Sequence, residues 1–185
     1  MSLDIDERAG WPEELLDLLR RYPRETWRAR GSAIAQFWLE RHDAFRRQCD
    51  ALESLAAEYR AERLDARRFA ASTAPALQNL LAHLHGHHQI EDFHYFPYFR
   101  AAEPSLARGF ETLERDHQTL HAGMAAVVEA VNALLGAVAA SEHDRHHVRG
   151  AAERYSDASL LLIRRLARHL DDEEDLIIPL MLDRG

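Results

Sequence analysis

The segments HHQIEDFHYFP (87–97) and HLDDEEDLIIP (169–179) carry the same phrase, a histidine, a glutamate four residues on, and a proline six residues after that. In an α-helix four residues turn the side chain through slightly more than one revolution. His87 and Glu91, and likewise His169 and Glu173, would therefore emerge on one face about 6 Å apart along the axis. An imidazole nitrogen and a carboxylate oxygen so placed can reach one cation. One such pair is weak evidence, because about two are expected by chance in a chain of this composition, and three occur when His88 with Asp92 is included. The repeat with its matched prolines is the stronger signal, and a His-x-x-x-His pair, His117 and His121, adds to it.

The surrounding sequence reads as helix. Glycine and proline are few, at 8 and 6 of 185 residues, and Ala, Leu, Arg and Glu dominate. Trp11-Pro12 opens a short amphipathic helix, EELLDLLRRY, which Pro23 ends. Its Leu15, Leu16, Leu18 and Leu19 are too apolar to stay exposed, so it packs on the rest of the chain or on a second copy, and a homo-oligomer is open. A first long helix is expected from about Ser32 to Tyr59, with Ile34, Phe37, Trp38, Phe45, Leu52 and Leu55 at apolar spacing and His42 among them. After a connection over about Leu64–Ser72, Ser72 or Thr73 caps a second helix, with Pro75 in its first turn. That helix runs to Phe99 with an adjustment at Pro97. A third is expected from about Ser105 to Val138. The polar stretch SEHDRHHVRG then intervenes, and a fourth spans about Ala151–Leu182. The expected fold is all-α, an up-down-up-down four-helix bundle with a short N-terminal helix. It forms a single domain over 1–185, with 1–31 as an arm and 32–182 as the bundle.

Bulk properties narrow the function. The net charge is −8, with 23 basic residues among 31 acidic ones, so no basic stripe is available for a phosphate backbone, and nucleic acid is not an expected partner. The single Cys49 cannot form an intrachain disulfide, and the N-terminus lacks a signal pattern, so a reducing cytoplasm is expected. Apolar runs such as SLLLIRRLARHL are interrupted by arginines, and no membrane partner is expected.

All four long helices offer candidate ligands: His42, then His87 and Glu91, then His117 and His121, then His169 and Glu173. Five imidazoles and two carboxylates suit a borderline first-row metal such as iron and are too many for one tetrahedral zinc. Two metals sharing carboxylates would use them all. The residues alone leave the second helix's register open between His87 with Glu91 and His88 with Asp92, although His87 alone repeats the ten-residue distance from His169 to its proline. His83 and His94 share the stripe and are candidates for hydrogen bonding to ligands. His85 is expected at the surface, and His143, His146 and His147 in a solvated connection. A ferritin-like site is disfavoured: Glu91 with His94 and Glu114 with His117 have its Glu-x-x-His spacing, but Leu166 stands where the fourth helix would need a glutamate. A metal-free interaction bundle would leave imidazoles and acids buried with no cation, at considerable cost.

These motifs make the chain resemble the hemerythrin-like family, the HHE cation-binding domain, over roughly Ser32–Leu182. The resemblance implies two non-heme irons. His117, His121 and His169 would bind one, His42 and His87 the other, and Glu91 and Glu173 would bridge them beside an oxo or hydroxo group. It also implies that the iron with fewer histidines keeps a position for dioxygen or another small diatomic or anionic ligand, with Leu120, Leu166 and Phe45 as walls. The invertebrate oxygen carriers of that family place an aspartate five residues after the last histidine. His169 with Glu173 matches the broader bacterial form, which points away from reversible oxygen transport and towards sensing, storage or delivery. No general acid, nucleophile or phosphate loop accompanies the ligands, which favours a binding protein over an enzyme. A di-iron oxidase, peroxidase or nitric-oxide-processing enzyme is the alternative.

Overall fold

The computed structural model describes residues 2–30, 32–140 and 145–184. Among these every regular element is helical: α1 (Asp17–Arg21), α2 (Ala33–Arg60), α3 (Ala66–Ile90), α4 (Phe96–Ala102), α5 (Ala107–Ala140) and α6 (Arg145–Arg184). Short 3₁₀ turns precede α1, α2 and α5, and a π-helical turn, Glu91–Tyr95, joins α3 to α4. That turn is the adjustment Pro97 calls for. A proline cannot donate to the carbonyl four residues back and its ring crowds it. The wide turn lies just before it, closed by the Phe96 N–H donating to the Glu91 carbonyl.

The chain divides into two compact units. The first comprises Met1–Ala44, His87–Gln118 and Arg165–Gly185. Its core joins Trp11, Leu15 and Trp27 of the N-terminal arm to Trp38 of α2, Phe96 and Phe99 of α4, Phe110 and Leu113 of α5, and Leu176, Ile177, Ile178, Leu180 and Met181 of α6. Each large apolar side chain so buried contributes about 2 kcal/mol. Leu15 and Leu18 are buried, and Leu16 and Leu19 pack against the same cluster, so the arm covers its apolar face within the chain. Phe96 and Ile178, each preceding a proline, are fully buried. Gly109 marks a close approach of α5 to α6, since a Cβ there would lie 2.5 Å from Leu176 Cδ1.

The second unit comprises Phe45–Gly86 and Thr119–Arg164. Phe69 is wholly buried, stacked on Tyr59 at 4.6 Å and edge-on to Tyr155 at 5.7 Å. Leu77, Leu80, Leu84, Leu120 and Leu134 complete its interior. Cys49 is buried there, and burial with the nearby Asp50 and Glu53 pushes its thiol up to about 12, leaving it inert as a nucleophile.

Several expectations need correction. α3 begins at Ala66, not near Ser72, because the Asp65 side chain accepts from the Arg68 N–H at 2.8 Å and caps the helix there. Pro75 consequently lies inside the helix. The extra turn places Phe69, Ala70 and Thr73 in the interior, and that burial offsets the lost hydrogen bond. On α2, Ile34 and Phe37 are exposed and Leu55 is half-buried. The buried stripe is instead Ala35, Trp38, Leu39, His42, Phe45, Cys49 and Leu52, a better match to 3.6 residues per turn. α6 starts at Arg145, with His146 and His147 exposed on its first turn, while His143 lies outside the described residues. Among the described residues one helix, Pro104–Ala140, is long and apolar enough to cross a membrane by length and composition. The arginine interruptions seen elsewhere do not extend to its second half.

Candidate metal centre

The first unit gathers its histidines and acids into two groups, His88, Glu91, His117 and His169, and His42, His87, Glu91 and Glu173. Within each group one ligand atom per residue lies within 4.8 Å of every other, a spacing that a single cation could satisfy. Glu91 belongs to both. Its Oε1 is 2.7 Å from His87 Nε2 and its Oε2 is 3.4 Å from His117 Nε2. Glu173 straddles in the same sense, with Oε1 3.6 Å from His42 Nε2 and Oε2 3.3 Å from His169 Nε2. Two pairs of imidazole nitrogens face each other at 3.1 Å, His42 Nε2 with His87 Nε2 and His117 Nε2 with His169 Nε2.

The donors fit a cation. Both oxygens of Glu91 and Oε2 of Glu173 are buried and receive no aligned hydrogen bond, although imidazole nitrogens stand close by. Proximity without hydrogen-bond alignment is what lone pairs aimed at a common point produce. A buried carboxylate left so is costly, and a positive ion between the donors removes that cost.

A further layer of acids orients the rings. His42 Nδ1 lies 3.0 Å from Glu174, His117 Nδ1 lies 2.7 Å from Asp92, and His169 Nδ1 lies 3.6 Å from Asp116. A carboxylate hydrogen-bonded to Nδ1, as at His42 and His117, holds the proton there and turns the Nε2 lone pair to the centre, while Asp116 faces His169 at ion-pair distance. Trp38 Nε1 donates to Glu173 Oε1 at 2.7 Å and fixes that carboxylate. Phe96 stacks on His117 with ring centroids 5.4 Å apart, so the residue before Pro97 packs the π-turn against a candidate ligand.

Six of the seven residues expected from sequence converge here: His42, His87, Glu91, His117, His169 and Glu173. His121 does not join either group. It belongs to the second unit, with its ring 5.4 Å from that of His85. Its place is taken by His88, stacked 4.0 Å from His117 and wholly buried. The alternatives for α3 were thus not exclusive. Adjacent helical residues diverge by about 100°, so His87 and His88 serve one group each on either side of Glu91, while Asp92 orients His117. The motif His-His-x-x-Glu held this signal, His88 and Glu91 being three apart on one face. Glu174, Asp116 and Trp38 had no comparable sequence signal. His83, His85 and His94 are exposed. Of the expected walls, all buried, Leu166 lies in the first unit and Phe45 and Leu120 in the second.

Burial pushes His87 down to about 3, which keeps its ring neutral and ready to coordinate. His117 is lowered for the same reason. His169 moves the other way: burial opposes its charge, but the neighbouring carboxylates of Asp116 and Glu173 outweigh it and push the ring up to about 9. Burial and the charge of Glu173 raise Glu91 well above its ordinary value. In Glu173 burial is outweighed by His42 and His169, and its carboxyl stays ionised. Ligands must shed their protons to bind, so cation uptake at pH 7 by the metal-free protein is expected to release a proton from His169. Apparent affinity should rise as pH climbs from 7 towards 9. The stabilisation that charged His169 gives the metal-free fold runs oppositely: it is complete below its ordinary 6.5 and lost as pH passes about 9. A pH-indicator titration during uptake checks this, and affinity flat or falling over that interval would contradict it.

The fold and these groups define a helical protein whose buried imidazoles and carboxylates could hold a metal cation. The hemerythrin HHE cation-binding domain family matches residues 33–181, most of the chain. The chain belongs to that family. No curated protein and no solved structure matches it.

Proposed function

We propose that the chain is a non-heme di-iron protein whose site binds dioxygen or a related small ligand, for sensing, storage or delivery. The observation that carries the reading is the shared glutamate: Glu91 turns one oxygen to each group of donors, as a carboxylate bridging two cations must. Imidazole-rich sets with carboxylates suit ferrous and ferric iron. Bound iron would supply an electrophilic, redox-active centre. His88, His117 and His169 would saturate one ion, and His42 and His87, being fewer, would leave the other with room for an exogenous ligand. Glu174, Asp92 and Asp116 would hold the rings in place as charge changes at the ions. In this reading the four long helices α2, α3, α5 and α6 form one up-down-up-down bundle in a single domain.

Anaerobic reconstitution with ferrous iron should give two irons per chain, and exposure to air should bring up charge-transfer absorption in the near-ultraviolet and visible. Fewer than two irons, or no such absorption, would sink the proposal.

A redox enzyme using the same site has one observation in its favour. Trp38, bonded to Glu173, meets Tyr95 edge-on with centroids 4.8 Å apart, and Tyr95 is only partly buried. Such a pair could carry an electron between the site and solvent. Steady-state turnover of dioxygen, peroxide or nitric oxide with a reductant distinguishes this reading, and absence of turnover with all three counts against it.

A further inference from the structure

The family match begins at residue 33, yet the arm before it places a charged side chain in the interior of the first unit. The Arg8 side chain is 0% exposed, against Asp116 and Asp172 that are nearly as buried. Its Nη2 donates to Asp116 Oδ2 at 2.6 Å, and Nη1 reaches Asp116 Oδ1 at 3.3 Å. Its Nε donates to Asp172 Oδ2 at 2.7 Å and Nη1 to the Leu3 carbonyl at 2.7 Å. The guanidinium also lies 4.9 Å from the Trp11 ring centroid, and Arg168 donates to the Arg8 carbonyl.

We propose that Arg8 is a positioning residue for the group His88, Glu91, His117 and His169, acting through Asp116 on His169. The inference rests on the two-cation reading above. Asp116 Oδ2, the oxygen that Arg8 Nη2 grips, is also the one 3.6 Å from His169 Nδ1. A planar fork contacting both oxygens of one carboxylate fixes its rotation, which a point charge cannot do. At 3.6 Å Asp116 meets His169 Nδ1 as an ion-pair neighbour, and a carboxylate charge fixed there favours the proton on Nδ1 and leaves the Nε2 lone pair to the cation. An anchoring role alone would not need this alignment. The arm already has Trp11, Leu15 and Trp27 in the core, and a more exposed pair, Asp6 with Arg165 at 2.5 Å, ties it to α6. A buried ion pair adds little stability that apolar residues could not supply. The family-matched segment thus carries the donors, and the arm carries the residue that aims one of them.

The test uses the full chain loaded with cobalt(II), following release of the metal to excess chelator and the cobalt ligand-field spectrum. In the wild type two equivalents should bind. Arg8→Ala should speed release of one equivalent by about 10- to 100-fold, the range for loss of such an outer partner, and shift the spectrum, with a smaller effect on the other. Arg8→Lys keeps the charge but not the fork and should fall between, and it carries the test if Arg8→Ala fails to fold. Asp6→Asn loosens the arm without touching Asp116 and should release both equivalents at the wild-type rates. Wild-type rates in the Arg8 variants, or equal acceleration by Asp6→Asn, would overturn the inference. If the wild type takes up fewer than two cobalt ions, the two-cation reading fails and takes this inference with it. If it takes up two and the Arg8 variants do not alter release, the inference alone fails.

Discussion

Glu91→Ala is expected to cost the protein both metal ions. Glu91 belongs to both groups and offers an oxygen to each, so its truncation removes a ligand from both and the negative charge that lets two cations approach. A fold-linked cation present at a thousand times its dissociation constant stabilises by about 4 kcal/mol, and that increment should vanish, lowering the melting temperature of the metal-loaded protein. The metal-free protein should respond differently. There Glu91 is a fully buried acid with neither oxygen in an aligned hydrogen bond, and removing an unsatisfied buried polar group offsets the cavity left behind. The variant should therefore melt close to metal-free wild type and gain nothing from added iron. Metal analysis and calorimetry with and without metal read both parts, and a variant that still binds two ions refutes the bridging role.

The second large effect separates His88 from His121. His88→Ala should lose one of the two ions, because it removes one of three imidazoles from its group, a direct ligand rather than an outer partner. The loss in affinity should exceed the roughly 100-fold upper end for outer partners. His121→Ala should keep both ions, since that side chain lies beside His85 in the second unit. Stoichiometry by metal analysis decides the matter. Loss of metal in His121→Ala with retention in His88→Ala would restore the ligand set that the resemblance implies.

Much of this was legible in the sequence because it depends on local period. The repeated His-x-x-x-Glu phrase put His87, Glu91, His169 and Glu173 on helix faces, and the four long helices follow from composition and spacing. The rest depends on neighbours distant in the chain or on local geometry that period does not encode. Ile34 and Phe37 satisfy an apolar pattern but lie on the wrong side of α2, because the stripe is set by what packs against it. Asp65 competes with Ser72 and Thr73 as a cap, and only the burial of Phe69 decides between them. In sequence the neighbouring histidines read as rival registers, whereas two groups flanking one glutamate need both His87 and His88. Arg8, Asp116 and Glu174 are charged residues of ordinary appearance, and their part emerges only when α5, α6 and the arm meet.

The centre is assembled from stretches far apart along the chain: Trp38 and Glu173, which touch, are separated by 135 residues. On a growing polypeptide His42, His87, His88, Glu91 and His117 all emerge before the last histidine and the second acid exist. An ion captured at that stage would meet an incomplete set, with nothing to stop it from leaving or from pairing the wrong donors. In the two-cation reading loading would be a late event that waits for α6 to dock, and a chain denied metal at that moment would fold unfilled, with more acid in its interior than it can comfortably keep charged.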